Sequence, residues 1–241
     1  MIDAGLPVRA FFTNRRGGGS VAPYDSLNVA DHVGDDPEAV ARNRATVSVA
    51  AGAPVTFLRA EHGTRVAIVD TPGAEPGAAD VLVTRTPGVA LGAIAADCLP
   101  ILMHDSATGA VAAVHAGREG LYMGAVDAGA AALLDLRVGA HGELSASVGP
   151  AICGRCYEVP PDMRDRVAAR HPEARSTTRA GTAALDLPRA AEARLLALGF
   201  AQVVRVDRCT LEDPALFSHR RDGVTGRHAG VIVCEPGVSV P

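Results

Sequence analysis

The stretch from Leu99 to Val114 constrains the fold most. Two apolar runs flank Asp105-Ser106-Ala107-Thr108-Gly109, a sequence with turn chemistry, and the pattern predicts a β-hairpin. Folded about Ala107, the hairpin sets Leu99 opposite His115. A register error of one residue still leaves Cys98 and His115 opposite or diagonal at the open end, where cross-strand Cβ atoms lie about 5–8 Å apart. One metal ion can bridge a thiol and an imidazole at that separation. A buried thiol beside an ordinary histidine accounts for the same spacing.

A chain of 241 residues buries roughly 70–75% of its unfolded surface and needs no disulfide staple. No repeat or linker divides it, and the Gly/Pro-bearing stretch Thr71 to Ala79 is too short to do so, so residues 1–241 read as one domain. Further strand-like segments are Val8–Thr13, Arg65–Asp70, Val81–Thr84, Val89–Ala95, Ala110–His115, Ser145–Val148, Val203–Val206 and Val231–Cys234. Helices are expected from Asp36 as N-cap and Pro37 to about Ala51, from about Leu121 to Leu136, after Asp186 and Pro188, and from near Pro161. The inward stripes are Met123, Val126, Ala130 and Leu133 on the second helix and Ala191, Leu195 and Leu198 on the third. Irregular alternation of short strands with amphipathic helices predicts an α+β layered arrangement of mixed sheets covered by helices.

Composition narrows the function. All 23 basic residues are arginine, and the absence of lysine excludes Schiff-base chemistry, a pyridoxal-phosphate lysine and a P-loop lysine. A net charge of −4 and 3% aromatic residues argue against binding nucleic acid and for small-molecule chemistry. Met1 to Phe12 lacks the plan of a secretory signal, so the cytoplasm is expected. The most apolar stretch, Val89 to Met103, contains Asp97 and Pro100 and falls short of a membrane span. Five cysteines in a reducing compartment suggest metal binding, catalysis or burial rather than disulfides.

His62, in Arg59-Ala60-Glu61-His62-Gly63 ahead of a strand, is the best third ligand beside Cys98 and His115, with Glu61 an alternative ligand or an acid. Two histidines and one thiolate fit Zn2+ with a fourth position left open, and such an ion lowers the pKa of bound water to near neutrality. On the first helix, Val40, Arg44, Val47 and Ala51 share one face, and a buried Arg44 needs an anionic partner, either a carboxylate or a substrate group. Gly117 to Gly120, leading into a helix at Leu121 beside Arg118, offers free N–H groups to an anion or is a plain turn. Gly17-Gly18-Gly19-Ser20 either lets a ligand approach or is itself only a turn. Cys153-Gly154-Arg155-Cys156 reads as a dithiol or half a zinc knuckle, but no second pair completes it, so burial is expected.

Taken in order, Thr13-Asn14-Arg15-Arg16-Gly17-Gly18-Gly19-Ser20, Pro23-Tyr24-Asp25-Ser26-Leu27-Asn28, Gly34-Asp35-Asp36 with Asn43-Arg44, His62-Gly63-Thr64, Ala96-Asp97-Cys98, His115-Ala116-Gly117, Gly149-Pro150-Ala151-Ile152, Cys156-Tyr157-Glu158-Val159 and Arg220 through Arg227 resemble the laccase-domain family. This YfiH-type, multicopper polyphenol oxidase-like family includes purine nucleoside phosphorylases. The resemblance implies a four-layer α/β/β/α sandwich with His62, Cys98 and His115 as zinc ligands. It also implies phosphorolysis of adenosine, inosine, guanosine and methylthioadenosine to free base and ribose 1-phosphate, with adenosine deamination as a second activity. The expected partners are thus a nucleoside and phosphate. Cys98, His115 and Asp97 are the expected catalytic groups, and Arg44, Ser20, Asn28 and Arg118 the expected substrate contacts. The sequence departs from the family pattern at Arg118-Glu119, where Trp-Arg is usual, and at Ala60, where Gln is usual. A copper laccase is not expected, because none of the eight histidines forms a His-x-His pair. A cysteine-type hydrolase of peptidoglycan-precursor editing, with Cys98 as nucleophile and His115 as base, or a binding protein that has lost turnover, are the other readings of the same residues.

Overall fold

The computed structural model describes residues 1–137 and 141–236. Its strands are β1 (Ile2–Asp3), β2 (Ala10–Phe12), β3 (Val55–Phe57), β4 (Val66–Ile68), β5 (Val81–Thr84), β6 (Ala90–Ala95), β7 (Leu99–Asp105), β8 (Val111–Ala116), β9 (Leu144–Val148), β10 (Arg175–Thr177), β11 (Ala183–Leu185), β12 (Gln202–Arg205) and β13 (His228–Val233). Its helices are α1 (Pro37–Ala51), α2 (Arg118–Met123), α3 (Ala125–Asp135), α4 (Pro161–Arg170), α5 (Leu187–Ala197) and α6 (His219–Asp222).

Two large mixed sheets form, in the orders β1-β2-β13-β6-β3 and β12-β9-β7-β8-β5-β4, and they pack face to face. Period-two alternation assigns each strand's two faces to different layers. Leu91 and Ala93 of β6 meet Leu102 of β7 and Val111 and Ala113 of β8 between the sheets. Ala90 and Ile94 face Val47 and Ala51 of α1, while Ile101, Met103, Ala112 and Val114 face α3 and α5. The order of layers is helix, sheet, sheet, helix. No helix of the described residues is long and apolar enough to cross a membrane.

The hairpin pairs Leu99 with Ala116 and Pro100 with His115, one residue from the register expected for a fold about Ala107. Asp105 sets that register. Its carboxylate accepts from Ala107 N and Thr108 Oγ1 within the turn and from Arg137 at 2.9 and 2.6 Å.

Helix α1 begins as expected, with Asp36 accepting from Glu38 N and Ala39 N, and it ends at Gly52 in the left-handed conformation. Its buried polar residue is Asn43 rather than Arg44, whose side chain is 29% exposed at the rim. The helix expected from Leu121 to Leu136 starts earlier and is two helices. Gly124, at φ 103°, closes α2 by donating to Gly120 O and Leu121 O, and the break turns Met123 out to solvent. Val126, Ala130 and Leu133 of α3 remain buried. Strands β1, β3, β10 and β11 are only two or three residues long and show no periodicity to read.

Candidate active site

Two chain crossings between the two sheets converge with the end of β8 at one end of the sandwich. The β6–β7 link, Ala96-Asp97-Cys98, passes from one sheet to the other in three residues and puts Asp97 at φ 92°. That conformation is costly without glycine, so surrounding bonds must hold it. Thr210 Oγ1 donates to Asp97 Oδ1 at 2.6 Å, Arg220 N donates to Oδ2 at 2.7 Å, and Ile152 N donates to the Asp97 carbonyl at 3.1 Å. Cys98 is thereby fixed at the corner. His115 continues the Val111, Ala113 alternation of β8 toward the inter-sheet layer and is 4% exposed. His62 comes from the β3–β4 link at φ 62°.

The ligand atoms of His62, Cys98 and His115 all lie within 4.8 Å of one another, with Cys98 Sγ 4.0 Å from His62 Nε2. Tetrahedral Zn–S and Zn–N bonds set sulfur and nitrogen about 3.6 Å apart, so a small contraction suffices to close on an ion. Gly117 makes room for this cluster. A Cβ there would meet Cys98 Sγ at 2.9 Å and His62 Cδ2 at 3.0 Å.

Buried Asp80 lies 3.9 Å through Oδ1 from His115 Nδ1, an atom without a hydrogen bond among the described residues, and also accepts from Glu61 N. A carboxylate beside one imidazole nitrogen is the arrangement that orients the other nitrogen to a metal. Burial alone would raise Asp80, but the His115 ring and the Gly63 and Glu61 amides outweigh it and hold its carboxyl below the usual value. Burial likewise pushes the Cys98 thiol up, yet the two imidazoles bring it down to about 6. His115 resists its own burial and rises to about 9, chiefly through the Cys98 thiolate and then Asp80. The donor set and its orienting carboxylate fit a zinc ion with one position open.

Two adjoining hollows share Cys98 and His219. One, of about 280 Å³, is lined by His32, His62, His115 and Arg227 among others; the second, of about 170 Å³, by Asp97, Arg118, Ile152, Tyr157, Leu187 and Arg220. Arg220 lies 5.0 Å over the Tyr157 ring. Burial lowers the pKa of Arg227, a cation drawn into the protein beside Cys98 and Asp97. The sequence reading assigned no role to Asp80, Tyr157, His219, Arg220 or Arg227. Ser218 to His228 carries three arginines and two histidines in eleven residues, which was the available signal.

The remaining expected residues fall into different places. Arg118 lines the second hollow and pairs with Glu119 at 2.6 Å. Asp97 is beside Cys98 with both carboxylate oxygens engaged as described. Glu61 is exposed and outside the ligand cluster. Ser20 Oγ donates to Asp35 Oδ2 at 2.6 Å and accepts from Asn43, and buried Asn28 bonds Ala30, Asp35 and Arg227 N, so both brace loops. Arg44 donates to Val29 O at 2.8 Å, pairs with Asp31 at 3.2 Å and lies 5.0 Å over Phe57. It lines a separate cavity with Arg59 and Glu75. In the Gly17–Gly19 run only Gly18 is packed, where a Cβ would strike Ser26 and Asn43, while Gly17 and Gly19 are exposed; Gly18 N donates to Ser26 Oγ and Gly19 N to Asn43 Oδ1. Residues 118–120 are already helical, so the expected free loop before Leu121 is absent. Cys153 and Cys156 are not simply buried. They meet Cys209 and Glu212, all four ligand atoms within 4.8 Å of one another.

Residues 9–235 match the family described as multi-copper polyphenol oxidoreductase laccase. Among relatives, a purine nucleoside phosphorylase of Mycobacterium tuberculosis is 45% identical over 237 residues, covering 97% of this chain and 94% of its own. A purine nucleoside phosphorylase of Streptomyces griseus is 46% identical over 228 residues, covering 92% of each chain. The crystal structure of the Neisseria meningitidis protein NMB0706 superposes with a TM-score of 0.84 at 37% identity, covering 97% and 96%. That of YlmD from Geobacillus stearothermophilus gives 0.83 at 30%, covering 96% and 95%. With nearly its whole length matched in sequence and in fold, the chain belongs to this laccase-like, YfiH-type family.

Proposed function

We propose that the protein is a cytoplasmic, zinc-dependent purine nucleoside phosphorylase acting on adenosine, inosine, guanosine and methylthioadenosine, with adenosine deamination as a side activity. The observation that carries the reading is the His62–Cys98–His115 cluster at the junction of two hollows edged by Arg118, Arg220 and Arg227. The relatives' activity supports the substrate class. Zinc bound by the three donors supplies a Lewis acid that polarises a substrate atom or activates water.

In phosphorolysis the C1′–N9 bond breaks, a phosphate oxygen bonds C1′, and the phosphate proton leaves with the base. The sugar passes through an oxocarbenium-like state, so the site must hold an anion against it. The three arginines supply the charge for phosphate. Tyr157, Ile152 and Leu187 give the second hollow an apolar wall suited to a purine face. His219 lines both hollows, and its Nδ1 is 2.7 Å from the Gly223 carbonyl, which leaves Nε2 for the departing base. Asp97 keeps the corner in its strained conformation, and Asp80 orients His115.

The test is incubation with each nucleoside, with and without phosphate, followed by product separation. Phosphate-dependent release of free base supports phosphorolysis, phosphate-independent conversion of adenosine to inosine supports deamination, and neither product under any condition rejects both. One observation favours a second reading, hydrolysis through a Cys98 nucleophile: a thiol brought down to about 6 beside an imidazole raised to about 9 is an ion pair of the kind cysteine hydrolases use. Zinc would quench that thiolate. Rapid alkylation of Cys98 in metal-replete protein would support the hydrolase, and protection would support the phosphorylase.

A further inference from the structure

We propose a second metal site, a closed structural zinc held by Cys153, Cys156, Cys209 and Glu212. It is distinct from the His62–Cys98–His115 cluster and independent of the activity proposed above. Two tight turns present the four donors. In the first, Cys156 N and Tyr157 N donate to the Cys153 carbonyl at 2.9 and 3.0 Å. In the second, Glu212 N and Asp213 N donate to the Cys209 carbonyl at 3.2 and 2.9 Å. Each turn brings donors i and i+3 to one side, which is the geometry by which paired knuckles grip zinc.

The turns interlock without a metal. Cys153 N donates to Cys209 Sγ at 3.4 Å, and Cys156 Sγ donates to Glu212 Oε1 at 3.4 Å, so donors of the first turn already contact donors of the second. A parallel bridge between Ala151 and Cys209 and the bond from Thr210 N to Ala151 O at 3.1 Å tie the segments together. Gly154 seats the first turn: Ser176 Oγ donates to its carbonyl at 2.9 Å, and a Cβ would strike Asp186 and Ser176. The donors are preorganised by backbone contacts that do not depend on the ion.

The chemistry selects the occupant. Three thiolates are soft donors that choose zinc over magnesium or calcium, and four protein ligands leave no open position. Thiolates and carboxylate would give a zinc-bound charge of about −2. Arg179, which pairs with Glu212, and Arg155, between the first two cysteines, provide the opposite charge. The site also has a structural task in reach. Ile152 and Thr210 adjoin the two turns, and both donate to Asp97, the residue that holds Cys98 at the sheet corner.

The experiment is zinc stoichiometry by elemental analysis of reduced full-length protein purified without chelator. The wild type is expected to hold two zinc ions per chain, Cys98→Ala one, and Cys156→Ser with Cys209→Ser one. Because the double variant can fail to fold, Glu212→Gln provides a second arm. It keeps every thiol and is expected to weaken the zinc that remains in Cys98→Ala about tenfold or more in chelator competition. Cobalt loaded into Cys98→Ala should show intense thiolate-to-metal charge transfer, because all three thiolates are in this site. Failure of Cys98→Ala to bind zinc or cobalt under reducing titration would overturn the proposal, as would an obligatory disulfide among Cys153, Cys156 and Cys209. Failure of the first site instead appears as a stoichiometry that Cys98→Ala leaves unchanged.

Discussion

Gly117→Ala separates metal binding from folding. Gly117 sits at φ −77° and ψ −175°, a conformation open to alanine, so the substitution carries no backbone strain. Reduced freedom of the unfolded chain would even stabilise the protein by about 0.4–1 kcal/mol if the methyl found space. The methyl does not find it. Its 2.9 Å approach to Cys98 Sγ and 3.0 Å approach to His62 Cδ2 fall below ordinary contact, which begins near 3.4 Å. The two donors must therefore retreat by about 0.5 Å, against a tolerance of about 0.2 Å in metal–ligand distances. Zinc affinity at this site should fall at least about tenfold to a hundredfold. In zinc-free protein the melting temperature should stay within about 4 °C of wild type, since a change of 1 kcal/mol moves a chain of this size by that much. Gly120→Ala is the control, because its Cβ would come no closer than 3.4 Å, to Gly63 O. The readout is the zinc that Cys98→Ala removes, followed by chelator competition alongside thermal unfolding. Wild-type affinity in Gly117→Ala would refute the crowding argument.

Cys98→Ala should abolish both phosphorolysis and deamination while leaving the fold intact, checked by circular dichroism; retained turnover would exclude Cys98 from the chemistry. Arg118→Met should raise the phosphate requirement about tenfold to a hundredfold, the value of a charge-assisted contact of 1.5–3 kcal/mol, and an unchanged KM for phosphate would count against it. Arg44→Met should instead cost about 1 kcal/mol of stability without altering that KM, because the Arg44–Asp31 pair is 29% and 52% exposed and stands in a different cavity. His228 is fully buried, and burial brings it from its ordinary value near 6.5 down to about 4. Its folded form stays neutral while the unfolded chain takes up a proton, so this contribution is complete above pH 6.5 and is lost as pH falls toward 4, by about 3 kcal/mol. Denaturant titrations of His228→Gln should show a correspondingly shallower acid dependence than wild type; parallel curves would refute the assignment.

Elements with local punctuation were legible in the sequence. Asp36, Pro37 and Gly52 delimit α1 by capping chemistry, and the Asp105 turn marks the β7–β8 hairpin. The one-residue register difference, set by how Asp105 closes its turn, is beyond a pattern of apolar runs. Gly124 hid inside an apolar periodicity that ran on across it, so α2 and α3 read as one helix. Spacing brought Cys98 near His115 because a hairpin is local. His62 reaches the site from a crossing between the sheets and Asp80 through the antiparallel pairing of β5 with β8, and no short motif encodes either. Cys209 lies 53 residues beyond Cys156, and its partner in the turn is Glu212 rather than a fourth cysteine, so the second cluster had no signature. Helical periodicity gives the face of a residue but not its depth, so Arg44 lies at the rim with a carboxylate partner, Asp31, while Asn43 goes into the core.

The most direct test of the central claim is phosphorus NMR of inosine and inorganic phosphate with zinc-replete protein. Growth of a ribose 1-phosphate resonance matched by hypoxanthine release, absent with Cys98→Ala, is the predicted result. Unchanged inorganic phosphate in the presence of folded, zinc-loaded protein, for inosine and for the other three nucleosides, would contradict it.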